Sequence, residues 1–178
     1  MPDRLLATIA ELDTLDEDAC RASLAPLFEG APSFLARLCA DRPFRDATRL
    51  FLRARAIAHA MPEPEQVELI DAHPRLGAPP GSVSPLSFLE QGYDREGAEA
   101  AADLERRRVA SDLERLNGAY EARFGFRYCV FVAGRSRAAL LPGFEAALAA
   151  DRDAEMARAL DAVVAIAADR YRTVTSGE

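Results

Sequence analysis

FGFRYCVFVAG, Phe124 to Gly134, is the one stretch of this chain rich in residues that favour strands. Its reading decides the fold. A strand needs a neighbour, because its backbone N–H and C=O groups must be paired. No second run of β-branched and aromatic residues with period-two alternation accompanies it. Residues 126–133 are therefore expected to be extended, buried backbone in an otherwise helical protein. The fold class is all-α, a helical bundle forming one domain over residues 1–178.

The flanking sequence supports this. Toward the N-terminus a long helix is expected from about Glu96 to Arg123, closing at Gly125. Beyond the extended stretch, helices are expected from about Arg137 to Ala149 and from Asp153 to Arg172, where apolar residues recur at i, i+3 and i+4. LLATIAEL and EDACRASLAPLFEG read as two short helices, the second ending at Gly30. SFLARLCADRPF gives a third, stopped near Pro43. RDATRLFLRARAIAHAM is longer and puts Leu50, Phe51, Ala54, Ile57 and Ala58 on one face. In EPEQVELIDAH, Pro64 sits in a first turn with acids after it, a favourable helix start.

Composition excludes several functions. The chain has 178 residues, 49% hydrophobic and 29% charged, with a net charge of −7. There is no basic run beyond Arg106-Arg107-Arg108, so a nucleic-acid partner is not expected. All 22 basic residues are arginine, which rules out a lysine Schiff base and a P-loop lysine. Cys20, Cys39 and Cys129 form no CxxC pair, and with only His59 and His73 a metal site is not expected. The N-terminus does not read as a signal peptide, and no apolar run approaches ~18 residues, so a membrane span is not expected. The expected setting is a reducing cytosol.

DAHPRLGAPPGSVSPLSFLEQG, Asp71 to Gly92, breaks the helical pattern. A residue before proline is biased out of the helical region, so His73 should lie just past a helix end. Ser84-Pro85 restarts a helix, serine as N-cap and proline at the first position. Ser87, Glu90 and Gln91 then share one face. Each residue alone has a plain reading. His73 suits a helix C-terminus, where a cation gains roughly 0.3–1 kcal/mol. Ser87-x-x-Glu90 matches a capping box. Gln91 suits a solvated surface, Arg170 or Arg172 a helix end, and His59 a half-exposed helix position. Residue by residue, the reading stops at a helical domain with a candidate His/Glu site.

Taken together and in order, AHPRLG, SFLEQG, LNGAYEARFGFRYCVFV and GRSRAALLPGFEAAL resemble the 2-oxo-4-hydroxy-4-carboxy-5-ureidoimidazoline (OHCU) decarboxylases of ureide metabolism. LFEGAPSFLARLCADRPF resembles that family's opening segment, and the likeness runs from about Leu15 to Val174. The chain departs from the pattern at Phe34, where tryptophan is common, at Arg127, where proline is usual, and in a shortened loop between His73 and Glu90. The resemblance implies an all-α homodimer that converts OHCU to (S)-allantoin in urate breakdown, with neither metal nor organic cofactor. It implies His73, Glu90 and Arg170 as catalytic residues; IAADR matches the family pattern at Arg170 rather than Arg172. Pro74, Ser87, Phe88, Leu89, Gln91, Tyr128, Cys129, Val130, Phe131 and Val132 would line the substrate. The residue types suit the chemistry. Histidine with a near-neutral pKa relays protons, Glu90 would favour its charged form, and arginine offers a planar fork to an anion. Decarboxylation of a related ureide acid, and a non-enzymatic interaction domain, are the rival readings.

Overall fold

The computed structural model describes residues 6–95 and 100–176, which contain nine α-helices and no strand. They are α1 (Ile9–Leu12), α2 (Glu17–Leu24), α3 (Pro32–Ala40), α4 (Ala47–Ala60), α5 (Glu63–Asp71), α6 (Pro85–Glu90), α7 (Ala100–Phe124), α8 (Arg137–Ala147) and α9 (Arg152–Ser176). The expected start of the long helix at Glu96 lies outside the described residues. The all-α expectation holds. Residues 127–132 belong to no helix and to no strand, and no strand pairs with them among the described residues.

Local chemistry sets the helix starts. Side chains of Asp16, Asp46, Ser84 and Ser136 each accept the backbone N–H three residues on. Thr8 and Glu11 form a capping box, so LLATIAEL yields only the single turn of α1. EDACRASLAPLFEG was expected to be one helix. It breaks instead into α2 and a 3-10 turn, Ala25–Leu27, because Pro26 has no N–H to continue the ladder. The last helix runs past Arg172 to Ser176.

The chain forms two compact units, Met1–His73 with Leu160–Glu178, and Pro74–Ala159. In the first, the buried side of α4 carries Leu50, Ala54 and Ala58, while Phe51 is half-buried with its ring 5.6 Å from Tyr171. Phe34, at the departure from tryptophan, is fully buried with its ring 4.7 Å from Phe28. Ser33 at the start of α3 donates from its N–H and hydroxyl to Glu68 of α5, at 2.8 and 2.9 Å. His59 is a surface group whose Nε2 lies 2.8 Å from Asp161.

In the second unit Tyr120 is the centre of an aromatic cluster. Its ring lies 4.5 Å from Phe124, 5.7 Å from Phe126, 5.2 Å from Tyr128 and 5.8 Å from Phe144. Tyr128 stacks on Phe144 at 3.7 Å. This is the physical content of the N-x-x-Y-x-x-x-F-G-F spacing. One face of α7 and the backbone after it wrap around one tyrosine.

Candidate active site

His73 lies two residues beyond α5, as its Pro74 neighbour requires, and is only 4% exposed. Its backbone N–H donates to Ile70 O at 3.1 Å, and Nδ1 lies 3.2 Å from Leu69 O. A carbonyl only accepts, so Nδ1 carries the proton, and Nε2 is the atom that takes and releases another. Burial, reinforced by the charge of Arg170, lowers the imidazole pKa to about 4; Glu29 and the Leu69 carbonyl oppose that shift. The ring is neutral at pH 7. This corrects the expected near-neutral pKa, which overlooked the cost of charging a histidine in a dry site beside a cation.

Arg170 is 2% exposed. Its Nη1 donates to Pro26 O at 2.8 Å and Leu27 O at 3.4 Å, and its Nη2 to Glu29 Oε1 at 2.7 Å. Arg172 is exposed and pairs with its helix neighbour Asp169. The first unit thus gathers His73, Arg170 and Glu29, the last of which sequence reading missed.

The second unit holds the loop after His73 from several sides. Arg75 pairs with Glu121, its Nε donating at 2.7 Å. Asn117 Nδ2 donates to Leu76 O at 3.0 Å. Gly77 N–H donates to Gln91 Oε1 at 2.7 Å, and Gln91 Nε2 donates to Arg75 O at 3.2 Å. The Tyr93 hydroxyl donates to Ala78 O. Gly77 has φ +81°, and a Cβ there would meet Leu113 Cδ1 at 2.7 Å, so only glycine fits.

On α6, Ser87 is 2% exposed, Glu90 and Phe88 are half-buried, and Leu89 is exposed, while Gln91, the residue that ends the helix, is 9% exposed. Pro74 is half-buried at the start of the loop. Gln91 faces a cavity of about 640 Å³ that Tyr93, Leu113, Arg135 and Arg137 also line. In the segment 127–132, Tyr128, Cys129 and Val132 are buried, and Val130 and Phe131 half-buried. Its carbonyls are held by arginines: Arg158 Nη1 donates to Cys129 O at 2.9 Å, and Arg135 donates to Phe131 O at 2.6 Å and Val132 O at 3.0 Å. Glu155 fixes Arg158 and accepts from the Tyr120 hydroxyl at 2.7 Å.

A family model for OHCU decarboxylase matches residues 13–172. The chain belongs to the OHCU decarboxylase family. It is 28% identical over 172 residues to the 2-oxo-4-hydroxy-4-carboxy-5-ureidoimidazoline decarboxylase of Haloferax volcanii, covering 96% of this chain and 98% of that protein. It is 27% identical over 165 residues to the uric acid degradation bifunctional protein PucL of Bacillus subtilis, covering 93% of this chain but only 32% of PucL. Its fold matches a crystal structure of OHCU decarboxylase in the presence of (S)-allantoin, with TM-score 0.65 and 20% identity over 85% of this chain and 96% of that one. A structure of (S)-allantoin synthase matches with TM-score 0.63 and 18% identity, over 96% of this chain and 54% of that one.

Within this OHCU decarboxylase family member, the S-x-x-E-Q motif does structural duty. Gln91 was expected to read the substrate, yet its amide oxygen and one amide N–H already hold the loop that follows His73. Gln91→Ala would strand the Gly77 N–H. It is expected to lower stability by about 1–3 kcal/mol, in addition to any loss of substrate affinity. Thermal unfolding of the ligand-free variant checks this.

The His73 shift has a second consequence. Its folded pKa is below the unfolded value near ~6.5. Above that pH both states hold a neutral ring and the stabilisation is complete. As pH falls toward about 4, only the unfolded chain gains the proton, and stability is lost. The full effect is on the order of 3 kcal/mol. Urea unfolding of the wild type and His73→Gln at several pH values between 7 and 4 should show a steeper decline in the wild type by about that amount.

Proposed function

We propose that this chain decarboxylates OHCU to (S)-allantoin. The observation that carries the reading is a neutral, buried imidazole in the field of a buried guanidinium at a His-Pro turn, within this family's fold and motif order. The substrate's name places its carboxylate and hydroxyl on one ring carbon beside the ureido-bearing carbon. When CO2 leaves, the carbon–carboxyl bond breaks and its electron pair spreads into the ring C=N bond. A proton must then reach carbon from one face, and one proton is consumed for each CO2 released.

His73 suits that proton. The arriving carboxylate favours the charged ring, so Nε2 takes a proton as substrate binds. Once CO2 has gone, the imidazolium delivers it to carbon. Glu90, in the S-x-x-E-Q motif, is proposed as a second catalytic residue. Arg170 is proposed to favour the anionic substrate. Pro74, Ser87, Phe88, Leu89, Gln91 and the Tyr128–Val132 backbone are proposed to line it. The ring takes up the electrons, so this route calls for neither metal nor organic cofactor. A homodimer in the cytosol completes the reading; three buried free thiols, Cys20, Cys39 and Cys129, fit a reducing compartment.

The test is to add the protein to freshly generated OHCU and follow its ultraviolet decay. A first-order loss that rises in proportion to protein concentration is expected. Decay at the spontaneous rate at every concentration would overturn the reading.

A further inference from the structure

The turn that receives Arg170 is unusual in its backbone. Glu29 has φ +51° and Gly30 φ +75°, two successive residues in the left-handed region. Glycine adopts that region freely, whereas glutamate rarely does. The turn is closed by Gly30 N–H on Ala25 O at 3.0 Å and Ala31 N–H on Phe28 O at 3.2 Å. Its effect is to turn the Glu29 side chain inward, where it is 13% exposed, and to bring its carboxylate within 2.7 Å of the buried Arg170 guanidinium. The same turn offers the Pro26 and Leu27 carbonyls to that guanidinium. Three acceptors from four consecutive residues form a receptacle for one side chain.

Within the first unit, two charged groups act on His73. Arg170 on α9 disfavours a second cation, and Glu29 on the turn favours one; from α5 itself there is the neutral Leu69 carbonyl. Removing Glu29 would leave a full positive charge near a ring that must itself become positive.

We propose that Glu29 is a positioning residue for the decarboxylation: its ion pair with Arg170 holds that guanidinium in the turn and offsets its charge toward His73. The activity arm rests on the function proposed above; the titration arm does not. The chain has two histidines, so His59→Gln leaves the His73 imidazole as a single NMR signal. Its titration is compared with and without Glu29→Gln, and kcat and KM are measured for Glu29→Gln and Glu29→Asp. Glu29→Gln is expected to make His73 harder to protonate, to lower kcat by about tenfold or more (one pKa unit being a tenfold change in protonation), and to leave KM unchanged or lower. Glu29→Asp is expected to recover part of kcat. A merely structural role would lower the melting temperature with titration and kcat unmoved. An unchanged His73 titration in a folded Glu29→Gln protein would overturn the proposal, as would a kcat within about twofold of an active wild type. If Glu29→Gln fails to fold, Glu29→Asp decides by the same two readouts. A wild type inactive on OHCU counts against the assigned reaction, and the titration then decides the role of Glu29.

Discussion

Replacing His73 with alanine is expected to lower the rate of OHCU decarboxylation by about 10²–10⁴-fold and to leave the residual product close to racemic. The size follows from removing a positioned proton carrier. The loss of handedness follows because water then protonates the carbanion from either face. His73→Gln keeps a polar side chain at the end of α5 but cannot carry a proton through Nε2, so it should resemble the alanine variant in kcat. Initial rate and enantiomeric excess, measured on the same samples, check this. Near-normal rate and full stereoselectivity in His73→Ala would reduce His73 to a helix-end group that caps Leu69 and Ile70.

Replacing Arg170 with methionine is expected to cost about 3–5 kcal/mol of stability. The substitution leaves the Glu29 carboxylate in a part-buried turn without its cation, and deprives the Pro26 and Leu27 carbonyls of their donor. For a chain of this size that corresponds to a fall of about 10 °C in melting temperature. Arg172→Met removes only a solvent-exposed pair with Asp169 and should change stability by less than about 0.5 kcal/mol. Thermal unfolding of the two variants side by side distinguishes a buried receptacle from an ordinary helix-end charge. Equal, small shifts would mean that the Arg170 pair contributes nothing to the fold.

Much of this was legible in the sequence because it is encoded locally. Ser84 with Pro85, and Gly125, mark helix ends through bonds to residues three and four positions away. The isolated Phe124–Gly134 stretch indicated extended backbone because nothing else could pair with it. Pro26 was read past, and its missing N–H divides the segment that looked like one helix. His73 was placed correctly at a helix end by Pro74, but its neutral state depends on burial and on Arg170, and neither is visible in a local window. Glu29 was missed because its partner lies 141 positions away and because FEGA reads as a helix terminus. Gln91 has a second role that the sequence did not show. It was assigned to substrate from its motif alone, and the bonds by which its amide closes the loop after His73 could not be read from a local window.

The handedness of the product tests the central claim most directly. OHCU also decays without enzyme, and that route has no preferred face. With wild-type protein in excess of the spontaneous reaction, the optical activity of the accumulating allantoin should report a single enantiomer, (S)-allantoin, throughout conversion. Racemic product formed at the accelerated rate would contradict delivery of the proton by a fixed group in the site.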